Sequence, residues 1–400
     1  MESLGVYVSV PFCKSKCTYC NFASGVFPLA SMDRYIARLE EDLKSIRERA
    51  SRWSAILPEV VDTVYLGGGT PSLLSPDQVH RLFSALRREL VVLPNAEITV
   101  ECAPGQLEDA TLAAMVECGV NRISFGVQSF IDDEARHTGR LHTREIAIRD
   151  VERVRSAGIP HISLDLIAGL PGQTFASWRE SLEVLASTGV DHASIYMLEV
   201  DDESRLGREI GKGGLKYYAP KVPTDDAIAE MYLESLGFLG GCGLTQYEIS
   251  NFARGAAVSR HNLKYWMRDP YVGLGLDAHS MLRTENGSAL RFATTDELDI
   301  YLSGLEGIPA PGWDEAHTLS CEEELEECWF LGLRLNRGVD MASLRKDFGT
   351  ATVQVFEPVL AELERDGLIQ RTGDRMALTE RGRLISNEVF SRFLLEPVAG

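Results

Sequence analysis

Over the first two hundred or so residues, short apolar runs alternate with longer stretches in which apolar positions recur at helical spacing. The apolar runs Gly5 to Val10, Thr63 to Leu66, Glu97 to Glu101, Arg122 to Gly126, His161 to Ile167 and Ala193 to Met197 predict strands. Between them, Ser31 to Ser51 carries Tyr35, Ile36, Leu39, Leu43 and Ile46 close to the helical period. Pro76 to Val91, Leu107 to Glu117, Arg144 to Ala157 and Phe175 to Ser187 predict further helices. Gly119, Gly158 and Gly189 each follow one, where a left-handed cap is expected. Repeated βα units imply an α/β fold with a parallel sheet. Six units are too few for a closed eight-unit barrel, so an open, partial (β/α)6 barrel fits best. A doubly wound sheet is also compatible with the pattern, because strand order is not written in the sequence.

The pattern then changes. Gly211 to Gly214 with Pro220 and Pro223 marks a loop, and Thr224-Asp225-Asp226 reads as a helix N-cap. From about Gly240 to Ala310 the chain is glycine-punctuated, with strand signals at Leu244 to Ile249 and Leu290 to Ala293. This stretch is expected to be a β-rich extension of the barrel. Beyond Pro309 and Pro311, helices are predicted at Leu325 to Leu333, Met341 to Phe348 and Val355 to Asp366, before a two-stranded wing at Leu368 to Thr379. Three parts result: 1–223, 224–312 and a small winged-helix-like part, 313–400.

Composition narrows the function. With 400 residues, 44% hydrophobic and 25% charged, the chain can bury a full core and is not of a disordered class. No apolar run approaches a membrane span, and the first residues lack the features of a secretory signal, so a cytoplasmic location is expected. Any membrane contact would be peripheral. A net charge of −19 argues against nonspecific nucleic-acid binding. The winged part itself is net acidic, with 15 acidic and 10 basic residues from Ala316 onward, so no nucleic-acid partner is expected.

Of eight cysteines, Cys13, Cys17 and Cys20 fall together directly after the first strand. Three thiolates at this spacing can hold a cuboidal iron–sulfur cluster and leave one iron open. Lys14 and Lys16 could offset part of its negative charge. A zinc site would need a fourth ligand, and no Cys or His occurs between Cys20 and His80. Cys102, Cys118, Cys242, Cys321 and Cys328 are expected to be packing residues. The second strand runs into Gly67-Gly68-Gly69-Thr70-Pro71-Ser72, a loop whose backbone can approach a ligand. Glu101 ends one further strand, Gln128 follows another, and Asp165 lies near the end of a third. In parallel βα folds those ends form the functional face.

Together with Gly126-Val127-Gln128-Ser129-Phe130 and Asp165 to Thr174, these motifs resemble the radical S-adenosylmethionine superfamily. Within it, the chain is similar over nearly its whole length to the oxygen-independent coproporphyrinogen III oxidase family. The resemblance implies a [4Fe–4S] cluster on Cys13, Cys17 and Cys20. It implies S-adenosylmethionine contacts from Tyr7, Tyr19, Gly68, Gly69, Thr70, Glu101, Gln128, Arg140 and Asp165, with residues near Glu199 and His279 as further candidates. One departure is Ala103, where Asn is expected; it touches only local loop hydrogen bonding.

In the decarboxylating branch of that family a cysteine sits two positions after the third cluster cysteine; here that residue is Phe22. Phe22 and His261-Asn262-Leu263-Lys264-Tyr265-Trp266 resemble instead the HemW-type heme chaperone branch, which implies heme as a ligand and hemoproteins, respiratory or other, as acceptors. Imidazole is a good axial ligand for heme iron, and flanking Tyr and Trp can pack on the macrocycle; the resemblance makes His261 the expected heme contact. The alternative is a structural histidine among core aromatics. The rival function is oxidative decarboxylation of coproporphyrinogen propionates by a radical that reductive cleavage of S-adenosylmethionine would generate.

Overall fold

The computed structural model describes residues 2–28, 30–303 and 316–394. In chain order the strands of the main sheet are β1 (Leu4–Val10), β2 (Ala55–Ile56), β3 (Val60–Gly68), β4 (Val91–Cys102), β5 (Arg122–Gln128), β6 (His161–Ala168), β7 (His192–Met197), β8 (Thr245–Gln246), β9 (Asn251–Ala253), β10 (Tyr271–Leu274), β11 (His279–Thr284), β12 (Ala289–Ala293) and β13 (His317–Thr318). The six expected strands lie in the order β1-β3-β4-β5-β6-β7, each parallel to the next. That order advances in one direction, without the reversal of a doubly wound sheet. β1 and β7 do not pair, so the sheet stays open. Val6, Val8, Val64, Leu66, Val100, Ile123, Leu164 and Ile195 are all fully buried. A parallel strand covered on both faces must be apolar almost throughout, which is why these six were readable.

The extension does not form one block. β10 pairs in parallel with the free edge of β1 and is followed by antiparallel β11, β12 and β13, whereas β9 and β8 add to the opposite edge beside β7. Of the strand expected at Leu244 to Ile249 only Thr245–Gln246 forms. Beyond it the chain turns on the buried Glu248, whose Oε1 accepts the Ser250 N–H at 3.0 Å.

The five helices expected among the βα units are present. Phe175–Ser187 has the expected bounds, while Pro76–Glu89 stops short of Val91. Leu90 turns extended there, with ψ 147°, and Val91 opens β4. Thr224 caps helix Asp225–Gly241, accepting from the Ala227 N–H. The three capping glycines have φ of 80°, 91° and 66°, as left-handed caps require.

Helices Cys321–Gly332, Met341–Phe348 and Glu357–Arg365 precede the wing strands Ile369–Thr372 and Arg375–Leu378, and Val339–Asp340 adds a third strand to them. Trp329, Phe356 and Phe393 form the aromatic centre of this part. Arg268, at the end of helix Arg260–Met267, ties it to the rest of the chain through Glu324 at 2.8 Å and Glu327 at 3.0 Å. Pro309 and Pro311, the expected break, lie outside the described residues. Among the described residues no helix is long and apolar enough to cross a membrane.

Candidate functional site

At the carboxyl edge of the parallel strands lies a cavity of about 720 Å³. Its floor follows from strand register. Glu101 pairs with Ser124, Gly126 with Asp165, and Asp165 with Ser194, so polar groups on neighbouring strands reach the same edge. Cys13, Cys17, Cys20, Tyr19, Gly68, Gly69, Thr70, Glu101, Gln128, Arg140, Asp165 and Glu199 all line it, and Phe22 stands at its rim, 63% exposed. Tyr7 is not part of the lining; its hydroxyl lies beneath Gly68. His279 is exposed and outside the lining.

The glycine loop has a structural task of its own. It crosses the end of β1, where Gly69 N–H donates to Val10 O at 3.0 Å and Thr70 N–H to Phe12 O at 2.8 Å. A Cβ on Gly69 would stand 2.6 Å from Val10 O, and one on Gly68, at φ 94°, 2.8 Å from Ser9 Oγ. Only glycine permits that approach. The crossing fixes the start of the cysteine loop, with Thr70 Oγ1 3.8 Å from Cys13 Sγ. Lys16 is not directed at the thiols: its Nζ donates to the carbonyls of Phe22 and Ser24 at 3.0 and 2.9 Å, bracing the same loop. Burial pushes the Cys13 thiol up, with Thr70 and Ser24 opposing.

The floor is electrostatically tense. Burial is the main cause that raises the Glu101 carboxyl to about 7; Asp165 adds to it, against the hydrogen bond from Tyr65 at 2.8 Å. Burial also raises Asp165, although Ser124 donates to both its oxygens at 3.1 and 3.2 Å. Arg140 donates to the Tyr19 hydroxyl at 3.1 Å. Gln128 is held at φ 70°, uncommon for a side-chain-bearing residue.

These residues suit the groups that the motifs imply. The three thiols border the cavity as separate ligand positions, and among the described residues no three His, Cys, Asp or Glu side chains gather as for a single metal ion. Gln128 Oε1 and Arg140 Nε are buried without a hydrogen-bond partner, polar atoms that a zwitterionic guest would satisfy. Cys102 and Cys118 are buried as expected of packing residues, but Cys321 is exposed at the start of its helix.

His261, expected from the sequence as a heme contact, lies outside the cavity lining. It is fully buried in helix Arg260–Met267, outside the lining, with Nδ1 2.8 Å from Thr63 Oγ1 and Nε2 2.8 Å from the Tyr265 hydroxyl. Burial pulls its pKa down to about 3, with Lys264 adding to it, so the ring is neutral. It stacks on Tyr65 at 5.3 Å between centroids, and Tyr65 holds Glu101. His261 therefore stands one layer behind the cavity wall. Arg334, Ser386 and Asn387, missed from the sequence, also line the cavity, with Asn387 Nδ2 3.4 Å from Glu199 Oε1.

An open parallel sheet whose first strand delivers three thiols to a cavity at its carboxyl edge defines a radical S-adenosylmethionine protein. The model of the Radical SAM superfamily matches residues 7–185, and that of the HemN C-terminal domain residues 319–385. The heme chaperone HemW of Bacillus subtilis (strain 168) is 34% identical over 396 residues, covering 98% of this chain and 99% of that protein. Its counterpart in Mycobacterium tuberculosis (strain ATCC 25618 / H37Rv) is 32% identical, over 98% and 95%. The solved structure of coproporphyrinogen III oxidase (HemN) from Escherichia coli superposes with TM-score 0.81 at 23% identity, over 98% and 90% of the two chains, a likeness of fold. This chain belongs to the radical S-adenosylmethionine superfamily and, within it, to the family of its HemW relatives. Membership implies a [4Fe–4S] cluster and S-adenosylmethionine.

Proposed function

We propose that the protein is a heme chaperone: it holds heme together with a [4Fe–4S] cluster and S-adenosylmethionine, and passes the heme to acceptor hemoproteins. The observation that carries this reading is Phe22, an apolar, exposed side chain at the cavity rim two positions after Cys20. The decarboxylating branch places a cysteine there. The names of the curated relatives over nearly the full chain support it.

In this reading Cys13, Cys17 and Cys20 would hold the cluster, and the chemistry it would supply is one-electron reduction of the molecule bound beside it. Arg140 and Gln128 offer the unsatisfied polar atoms that orient that molecule, and Glu101, raised toward neutrality by burial, holds or releases a proton beside it. The glycine crossing keeps the thiol loop in register with this floor. His261 acts through Tyr65 on Glu101 rather than on the guest directly.

Anaerobic titration of cluster-loaded protein with hemin should give a stable one-to-one complex. Absence of a stoichiometric complex would refute the proposal. The alternative, an oxygen-independent coproporphyrinogen III oxidase, is supported by the likeness of fold to HemN. It predicts protoporphyrinogen from coproporphyrinogen under reducing, oxygen-free conditions, which a chaperone would not form.

A further inference from the structure

The cavity lining is of unlike kinds. The thiols and the floor of Glu101, Gln128 and Asp165 form one part; Arg334 with Ser386 and Asn387 forms another, and Ile167, Ile195, Met197, Leu198 and Ile249 supply apolar surface to the lining.

Three cations border this space. Lys16 is committed to two backbone carbonyls, and Arg140, which donates to Tyr19, already serves the guest beside the floor in the reading above. Arg334 is differently placed. Its guanidinium lies 4.2 Å from the ring centre of Trp266, a cation–π contact that fixes its plane. Its Nη2 approaches Glu248 only to 4.0 Å, and its Nε is buried without a hydrogen-bond partner. Glu248 is fully buried and its Oε2 is equally unpartnered; burial raises its carboxyl, with the charge of Arg334 the main influence opposing the rise, and no hydrogen bond joins the two side chains. The backbone carrying Arg334 is rigid: Ile249 N–H donates to Arg334 O at 3.1 Å, and Asn336 N–H to Tyr247 O at 3.0 Å. A positioned guanidinium with unused donors recognises a carboxylate.

From this geometry, and resting on the heme-binding reading, we infer that Arg334 receives a propionate carboxylate of the tetrapyrrole, whose apolar ring lies against the aliphatic wall. The occupant is an iron tetrapyrrole with free acid side chains. Esterified or uncharged macrocycles lack the recognised group.

The test compares hemin with its dimethyl ester on cluster-loaded, full-length wild type, R334Q and R334K. R334Q should weaken hemin by roughly ten- to a hundredfold, the loss of a charge-assisted hydrogen bond, while leaving ester affinity unchanged. R334K, which keeps the charge without the fork, should fall between. Unchanged hemin affinity in R334Q overturns the inference and leaves the chaperone reading standing. Equal weakening of hemin and ester also overturns it, because that marks lost packing on Trp266. If R334Q fails to fold, R334K decides alone: a loss confined to hemin supports the inference, and an equal loss or none overturns it. Wild type that binds no hemin overturns both.

Discussion

Nε2 of His261 lies 2.8 Å from the hydroxyl of Tyr265. Iron could take that nitrogen only by displacing the hydroxyl and opening a fully buried helix face. His261→Gln should therefore leave the Soret position and heme stoichiometry of the hemin complex unchanged. An altered ligand-field spectrum in the variant would place the imidazole on the iron instead.

The same burial gives His261 a role in acid stability. Its folded pKa, about 3, lies below the ordinary 6.5, so its contribution is complete above pH 6.5 and is lost as pH falls toward 3. The expected loss is about 2 kcal/mol by pH 5, at ~1.4 kcal/mol per pH unit for one proton. His142, lowered to about 4 by burial and Arg140, contributes in the same direction. Urea unfolding of wild type and His261→Gln between pH 7.5 and 5 checks this; the variant should show the shallower decline.

Glu101 has the opposite sign. Its folded pKa of about 7 lies above the ordinary 4.5, so the stability it lends is present below pH 4.5 and lost as pH rises through 7. In protein without bound guests, Glu101→Gln should gain on wild type from pH 4.5 to 7, by up to about 3 kcal/mol, and then level off. Thermal melts across that range decide it. A constant difference would mean that the carboxyl does not titrate there.

Gly69→Ala should disturb the thiol loop before it disturbs the core. Its Cβ would meet Val10 O and the Pro11 carbonyl carbon at 2.6 and 2.7 Å, both backbone atoms without freedom to move aside. After anaerobic reconstitution the variant should hold clearly less iron and sulfide than wild type, with near-native far-UV circular dichroism. Full cluster occupancy would show that the crossing tolerates a methyl group.

Much of this arrangement is legible in the sequence, because covered parallel strands are apolar runs and their polar ends stand out. Glu101, Gln128 and Asp165 were found that way, and the structure gathers them at one edge. β10 and β11 escaped because glycines and polar residues interrupt their apolar pattern. The setting of His261 was hidden because Thr63, its partner, lies 198 positions earlier. Arg334 and Asn387 carry no motif and reach the cavity only through tertiary packing. The sequence offers Trp266 as a packing partner for a macrocycle, and in the structure Arg334 stacks on its ring.

The wall holding Asn387 has a consequence for how the protein is made. Cys13 to Cys20 leave the ribosome well before helix Ser386–Ser391. A nascent chain can thus present its thiols, and the glycine crossing that aligns them, while Ser386 and Asn387 are still untranslated. The chamber is assembled from distant stretches of the message, and a premature stop shortly before Ser386 would encode the thiols and the glycine crossing without the side of the lining that Ser386 and Asn387 supply.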